Sequence, residues 1–124
     1  MKEKIVCEKA PGAIGPYSQA IVTGDLIFVS GQIPVNPETG TMPATIEEQT
    51  AQSLTNIKNI LETVGSGMDK VVKTTVLMTN LGDFTKMNEV YATFFNDPAP
   101  ARAAFQVVAL PKGAMIEIEA VAEK

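Results

Sequence analysis

T-I-E-E-Q-T-A-Q-S-L-T-N-I-K-N-I-L-E-T-V-G, residues 45–65, followed by V-V-K-T-T-V-L-M at 71–78, is the stretch from which the fold can be read. Thr45 and Glu48 have the spacing of a capping box, which marks a helix start. Leu54, Ile57, Ile60, Leu61 and Val64 then recur at helical spacing until Gly65 supplies a C-terminal stop. Val71 to Met78 is rich in β-branched residues and predicts a strand. Upstream, Ile5 to Glu8 alternates weakly, while Tyr17–Thr23 and Leu26–Ile33 favour β structure around the hairpin dipeptide Gly24-Asp25. The stretch Pro34 to Gly40, with two prolines, an Asn and a Gly, predicts a loop leading away from the sheet.

Downstream of the strand, Asp83 is placed to cap a second helix with Phe84, Met87, Tyr91 and Phe94 as its apolar face, ending near Asn96-Asp97-Pro98. Two alternating segments follow, Ala101–Ala109 and Ala114–Ala122, joined by Leu110-Pro111-Lys112-Gly113 and expected to pair as a hairpin. The order βββαβαββ predicts one α+β domain over residues 1–124, a mainly antiparallel sheet with two helices packed on one face. Alternation assigns Ile116, Ile118, Ala120 and Ala122 to the helix side and Met115, Glu117, Glu119 and Val121 to the other. That second set is too apolar for ordinary solvent and too acidic for a dry core, and fits an oligomer interface. Arg102, Ala104, Gln106 and Val108 share a face, so an arginine and a glutamate are expected on the helix-free side.

Composition limits the chemistry. With 45% apolar and 19% charged residues, the 124-residue chain suits one globular core. Zero histidine removes Ser-His-Asp and Cys-His catalysis and every imidazole metal site. The single cysteine, Cys7, cannot form an internal disulfide or a thiolate zinc cage, so neither metal nor cofactor is expected and the compartment reads as reducing and cytoplasmic. Net charge is −4, and the ten Lys and Arg residues never form a run, which disfavours nucleic acid. Acids interrupt the N-terminus before any signal-length apolar stretch, and Leu26 to Val29 is among the longest apolar runs, so no membrane association is expected.

Most small motifs have plain readings. Gly65-Ser66-Gly67 follows a helix and lacks a third glycine, so it is a helix stop rather than a dinucleotide fingerprint. Nothing near Cys7 in sequence combines a cation with a helix N-terminus to activate it. Arg102 differs, because Pro98, Pro100, Ala101, Ala103 and Ala104 leave its guanidinium fork room to bind a small planar carboxylate bidentately. Glu117 and Glu119 read either as solvated strand carboxylates or as site groups.

Four motifs in order, Gly15-Pro16-Tyr17-Ser18-Gln19, Val29-Ser30-Gly31-Gln32-Ile33-Pro34, Pro100-Ala101-Arg102-Ala103-Ala104 and Ile116-Glu117-Ile118-Glu119-Ala120, closely resemble the Rid (YjgF) family and its RidA subgroup. The resemblance covers nearly the whole chain and includes the loop Asn36-Pro37-Glu38-Thr39-Gly40. It implies a chorismate-mutase-like fold, homotrimeric assembly with sites between subunits, and 2-iminobutanoate/2-iminopropanoate deaminase activity. Such an enzyme hydrolyses the reactive enamine and imine acids released by pyridoxal-phosphate-dependent dehydratases to 2-keto acids and ammonia. By matched motif, Arg102 would clamp the substrate carboxylate and Glu117 would position the attacking water. Tyr17, Ser30, Gly31 and Asn88 would line the site, and the backbone at Ala104 would meet the imine nitrogen. Some relatives carry Cys at the Ala104 position, so a thiol there is not essential.

The chemistry is also sound on physical grounds. A free 2-imino acid is already electrophilic, so orientation plus one positioned water suffices without histidine, metal or cofactor. Two alternatives come from other classes. A non-catalytic carboxylate-binding regulatory trimer would use Arg102 but have little need of Glu117. An endoribonuclease or translation inhibitor would need a phosphate track that the acidic balance does not offer. Chaperone-like binding has no distinctive signal in the chain.

Overall fold

The computed structural model describes residues 1–124. Its elements are β1 (Glu3–Ile5), β2 (Ala20–Thr23), β3 (Leu26–Gln32), α1 (Ile46–Thr63), β4 (Val71–Met78), α2 (Phe84–Tyr91), β5 (Ala101–Gln106) and β6 (Ile116–Glu123), with short 3-10 turns between several of them. The expected βββαβαββ order is therefore present. Helix α1 begins at Thr45 as expected, with the Glu48 amide donating to Thr45 Oγ1 at 3.2 Å, but the Glu48 carboxylate accepts from the Thr45 hydroxyl at 2.9 Å rather than from its amide, so only half of the capping box forms. It ends in a Schellman turn, where Gly65 takes φ 79° and the Ser66 amide donates to the Leu61 carbonyl at 3.0 Å. At α2 the expectation needs correction. Asp83 occupies the capping position but its side chain caps nothing, and Asn80 Oδ1 instead accepts from the Gly82 amide at the start of the preceding 3-10 turn.

The six strands form one sheet in the order β1-β2-β3-β6-β4-β5. All neighbours are antiparallel except β4 and β5, which run parallel and are connected through α2. The expected hairpin between the last two segments does not form. β6 inserts between β3 and β4, while β5 becomes an edge. The physical reason lies in side-chain size. Ile116 and Ile118 are fully buried and suit a central strand, whereas Ala101-Arg102-Ala103-Ala104 has little apolar bulk and suits an edge.

Both helices cover one face. There, Ile27, Val29, Val76, Met78, Ile116, Ile118, Ala120 and Ala122 pack with Leu54, Ile57, Ile60 and Leu61 of α1 and Met87 and Tyr91 of α2 in one cluster. The opposite face carries Ile21, Phe28, Leu77, Phe105 and Val121 among Lys73, Glu117 and Glu119, with Phe28 and Phe105 45% and 51% exposed. No helix is long and apolar enough to cross a membrane.

Candidate active site

The site begins at a break in the ladder. Val29 pairs with Ala120 and Gln32 with Ile118, so Ser30 and Gly31 together oppose Glu119 as a β-bulge. The bulge is tied down from outside the sheet. The Ser30 amide donates to the Gln19 carbonyl at 2.9 Å, and Ser30 Oγ donates to the Ser18 carbonyl at 2.6 Å. Buried Gln19 in turn accepts from the Cys7 amide at 2.7 Å and donates to the Cys7 and Pro11 carbonyls at 2.9 and 2.8 Å. This fastening carries the exposed Tyr17 to a groove that it shares with Ser18, Gly31 and Gln32.

Glu117 lies over the bulge. A Cβ added to Gly31 would come within 2.8 Å of Glu117 Cδ, so only glycine leaves the carboxylate its place. Burial pushes the Glu117 carboxyl pKa above its usual value, and the charge of Glu119 pushes in the same direction.

Arg102 sits elsewhere. Its register partner on β4 is Thr74, which also pairs with Ala120, so Arg102 belongs to the helix-covered face. Glu117 pairs with Leu77, on the opposite face. The expectation that Arg102 and Glu117 share the helix-free side is therefore incorrect within one chain. Alternation groups Arg102, Ala104 and Gln106 correctly, although Val108 lies beyond the end of β5, and the parallel register with β4 determines which group of β5 faces the helices.

Around Arg102, α2 supplies the surroundings. Arg102 Nη1 donates to Asn88 Oδ1 at 2.7 Å, and its guanidinium carbon stands 5.3 Å from the Phe84 ring centroid and 4.9 Å from that of Tyr91. Phe84, Asn88 and Tyr91 are spaced i, i+4, i+7 and so share one stripe of the helix. The Tyr91 hydroxyl meets Thr74 Oγ1 at 2.7 Å. Burial raises the Tyr91 phenol pKa, against the opposing influence of Thr74 and Arg102, and keeps the ring neutral at physiological pH. Ala104 follows on the same face of β5, whose outer edge offers unpaired backbone groups.

The chain thus brings the expected site residues together in two groups. Tyr17, Ser30, Gly31 and Glu117 gather near the bulge, and Arg102, Asn88 and Ala104 gather at the β5 edge. Neither half contains an imidazole, and each offers what a small carboxylate or a polarised water needs.

A family model described as Endoribonuclease L-PSP matches residues 7–124. The RutC family protein y4sK of Sinorhizobium fredii is 56% identical over 98% of this chain and 97% of its own. The Homo sapiens protein named 2-iminobutanoate/2-iminopropanoate deaminase is 48% identical over 98% of this chain and 90% of its own. The crystal structure of the YjgF gene product from E. coli superposes with a TM-score of 0.95 at 46% identity, covering 98% of both chains.

The chain belongs to the Rid (YjgF) family.

Named imine deaminases are thus among its relatives. In this Rid chain the motif around Tyr17 precedes β2, the motif around Gly31 forms the bulge, and those around Arg102 and Glu117 lie on β5 and β6. Reasoning from sequence missed the surroundings of Arg102 supplied by Thr74, Phe84 and Tyr91. The Phe84, Asn88, Tyr91 spacing was a usable signal, since it places an amide between two aromatic rings on one helical stripe.

Proposed function

We propose that this Rid protein hydrolyses 2-imino and enamine acids such as 2-iminobutanoate and 2-iminopropanoate to 2-keto acids and ammonia, as a homotrimer with sites completed between subunits. The observation that carries this reading is the division of one set of site residues between opposite faces of the sheet. Arg102 with Asn88 from one subunit and Glu117 with Gly31 from its neighbour form a complete constellation only across an interface. The partly apolar helix-free face, with Phe28 and Phe105 exposed, supplies surface for that assembly.

The chemistry follows from the groups. Arg102 binds the carboxylate beside the reacting carbon through parallel N–H donors and offsets its charge. Glu117 accepts a proton from water as the water oxygen forms a bond to C2 of the protonated imine and the C=N electron pair moves to nitrogen. Returning that proton to nitrogen makes the amine a leaving group. The carbinolamine hydroxyl then gives its proton to Glu117 as the C–N bond breaks, which releases ammonia and leaves the keto acid. Tyr17 and Ser30 line the cleft, and the backbone at Ala104 meets the imine nitrogen. Products of pyridoxal-phosphate-dependent dehydratases fit this chemistry as substrates.

A ribonuclease reading draws support from the description of the matching family model. The net charge of −4 and the lack of histidine weigh against it, and strong salt-dependent RNA binding would revive it.

Variants at the two halves test the proposal. Arg102→Ala should abolish 2-oxobutanoate binding and turnover together, and Arg102→Lys should rescue little, because an ammonium lacks the planar fork. Glu117→Ala should still bind 2-oxobutanoate while deamination falls by roughly 10²-fold or more. Wild-type turnover by Glu117→Ala in an intact trimer would assign water activation to another group.

A further inference from the structure

Arg102 is exposed and lies on an edge strand, a setting in which a long side chain ordinarily samples many rotamers. Its guanidinium is nevertheless held on three sides, by Asn88 Oδ1 and by the rings of Phe84 and Tyr91. Asn88 uses one N–H of five, which leaves a fork free for a carboxylate. The orientation of that fork depends on the plane of the rings beside it. Tyr91 cannot rotate freely, because its hydroxyl bonds the buried Thr74, and Thr74 is the residue directly opposite Arg102 in the β4–β5 register. The helix ring next to the guanidinium is therefore anchored to the sheet position from which the guanidinium itself springs.

We infer that Thr74 and Tyr91 are positioning residues that set the orientation of the Arg102 fork, through a hydroxyl pair that locks the Tyr91 ring against the guanidinium. The inference rests on the reading of Arg102 as the carboxylate anchor. Thr74 itself, 1% exposed, has no route to substrate. Removing its hydroxyl leaves the buried Tyr91 hydroxyl without a partner. The ring must then tilt toward water to satisfy that group, and the face beneath Arg102 is lost. If the Tyr91 hydroxyl is removed as well, nothing drives the tilt and the ring can return.

The order of effects is specific to positioning. Thr74→Val, which preserves shape, should weaken 2-oxobutanoate binding by about tenfold, the scale of one misaligned cation–π contact. It should raise KM for the imine by a similar factor while kcat stays within about twofold, because the fork binds the carboxylate equally in ground and transition states. The double variant T74V/Y91F should recover most of the affinity. A purely structural role for Thr74 would lower Tm without this split and without rescue by Tyr91→Phe.

The experiment is calorimetric titration of 2-oxobutanoate, with steady-state kinetics and melting curves, on wild type, Thr74→Val, Tyr91→Phe, T74V/Y91F and Arg102→Ala. Unchanged binding by Thr74→Val, or a double variant as weak as Thr74→Val, overturns the inference while loss of binding in Arg102→Ala leaves the anchor intact. Unchanged binding by Arg102→Ala overturns the anchor and the inference with it. If Thr74→Val fails to fold, Thr74→Ser and Tyr91→Leu decide: near wild-type binding by Thr74→Ser, which keeps the hydroxyl, with about tenfold weaker binding by Tyr91→Leu, which removes the ring, supports the inference, and unchanged binding by Tyr91→Leu or equal weakening by Thr74→Ser refutes it.

Discussion

Gly31→Ala is the sharpest perturbation of the Glu117 half of the site. Gly31 does not have positive φ, so alanine meets no backbone penalty there. The added Cβ would stand 2.8 Å from Glu117 Cδ and 3.1 Å from Cγ. Carbon atoms rest at about 3.5–4.0 Å, so the carboxylate must retreat by about 1 Å. The obstruction is a side chain that can rotate, so stability should change by less than the ~1–3 kcal/mol typical of overpacking. Loss of chain entropy in the unfolded state offsets about 0.4–1 kcal/mol of that cost. Catalysis has no such relief. A displacement of about 1 Å in a positioned group can cost about 10²-fold, so Gly31→Ala should lower kcat by roughly that factor with a nearly unchanged Tm. The assay is keto-acid release from imine generated in place, alongside a melting curve. In a Glu117→Ala background the same substitution should cost almost nothing more, since the group it displaces is gone. Near wild-type turnover by Gly31→Ala, or a full additional loss in the Glu117→Ala background, would refute this account of Glu117.

Three further outcomes follow from the same geometry. Light scattering at micromolar concentration should give about 40 kDa against 13.2 kDa for one chain, and a monomer would remove the shared site. In the proposed mechanism ionised Glu117 is the working form, and its pKa is raised, so the acid limb of activity should stand above the ordinary glutamate range; Glu119→Gln removes one cause and should move that limb to lower pH. The same shift makes Glu117's contribution to stability present below the ordinary glutamate pKa and lost as pH rises through the raised value. Glu117→Gln should therefore raise Tm over wild type near neutral pH and not at about pH 4. Cys7→Ala should retain activity in the presence of a chelator and lose about 1 kcal/mol of stability, because Gln19 bonds the Cys7 backbone rather than its thiol.

Much of this architecture is written locally. Helix α1 starts and stops on Thr45 and Gly65, and β4 spans Val71–Met78 as its β-branched run predicts, since caps and propensities act within a few residues. Strand partners are a different matter. Alternation in Ala101–Gln106 and Ile116–Glu123 is the same whether the two strands pair with each other or with β4, and it carries no partner information. The β-α-β sequence from β4 through α2 to β5 was a readable sign of parallel pairing. The same nonlocal choice determined the side on which Arg102 stands. The family motifs named both halves of the site, but which face each occupies was legible only from the register. Gly31 illustrates the limit: its identity was visible in the sequence, while the carboxylate it makes room for comes from a residue 86 positions later.

The most direct test of the central claim is the decay of the imine itself. An amino acid dehydratase acting on threonine supplies 2-iminobutanoate, and the rate at which it becomes 2-oxobutanoate is followed with and without this protein, together with Arg102→Ala and Glu117→Ala trimers. The account predicts release faster than spontaneous hydrolysis, in proportion to the wild-type protein added, and near the spontaneous rate with either variant. Release at the spontaneous rate with intact wild-type trimer would contradict it.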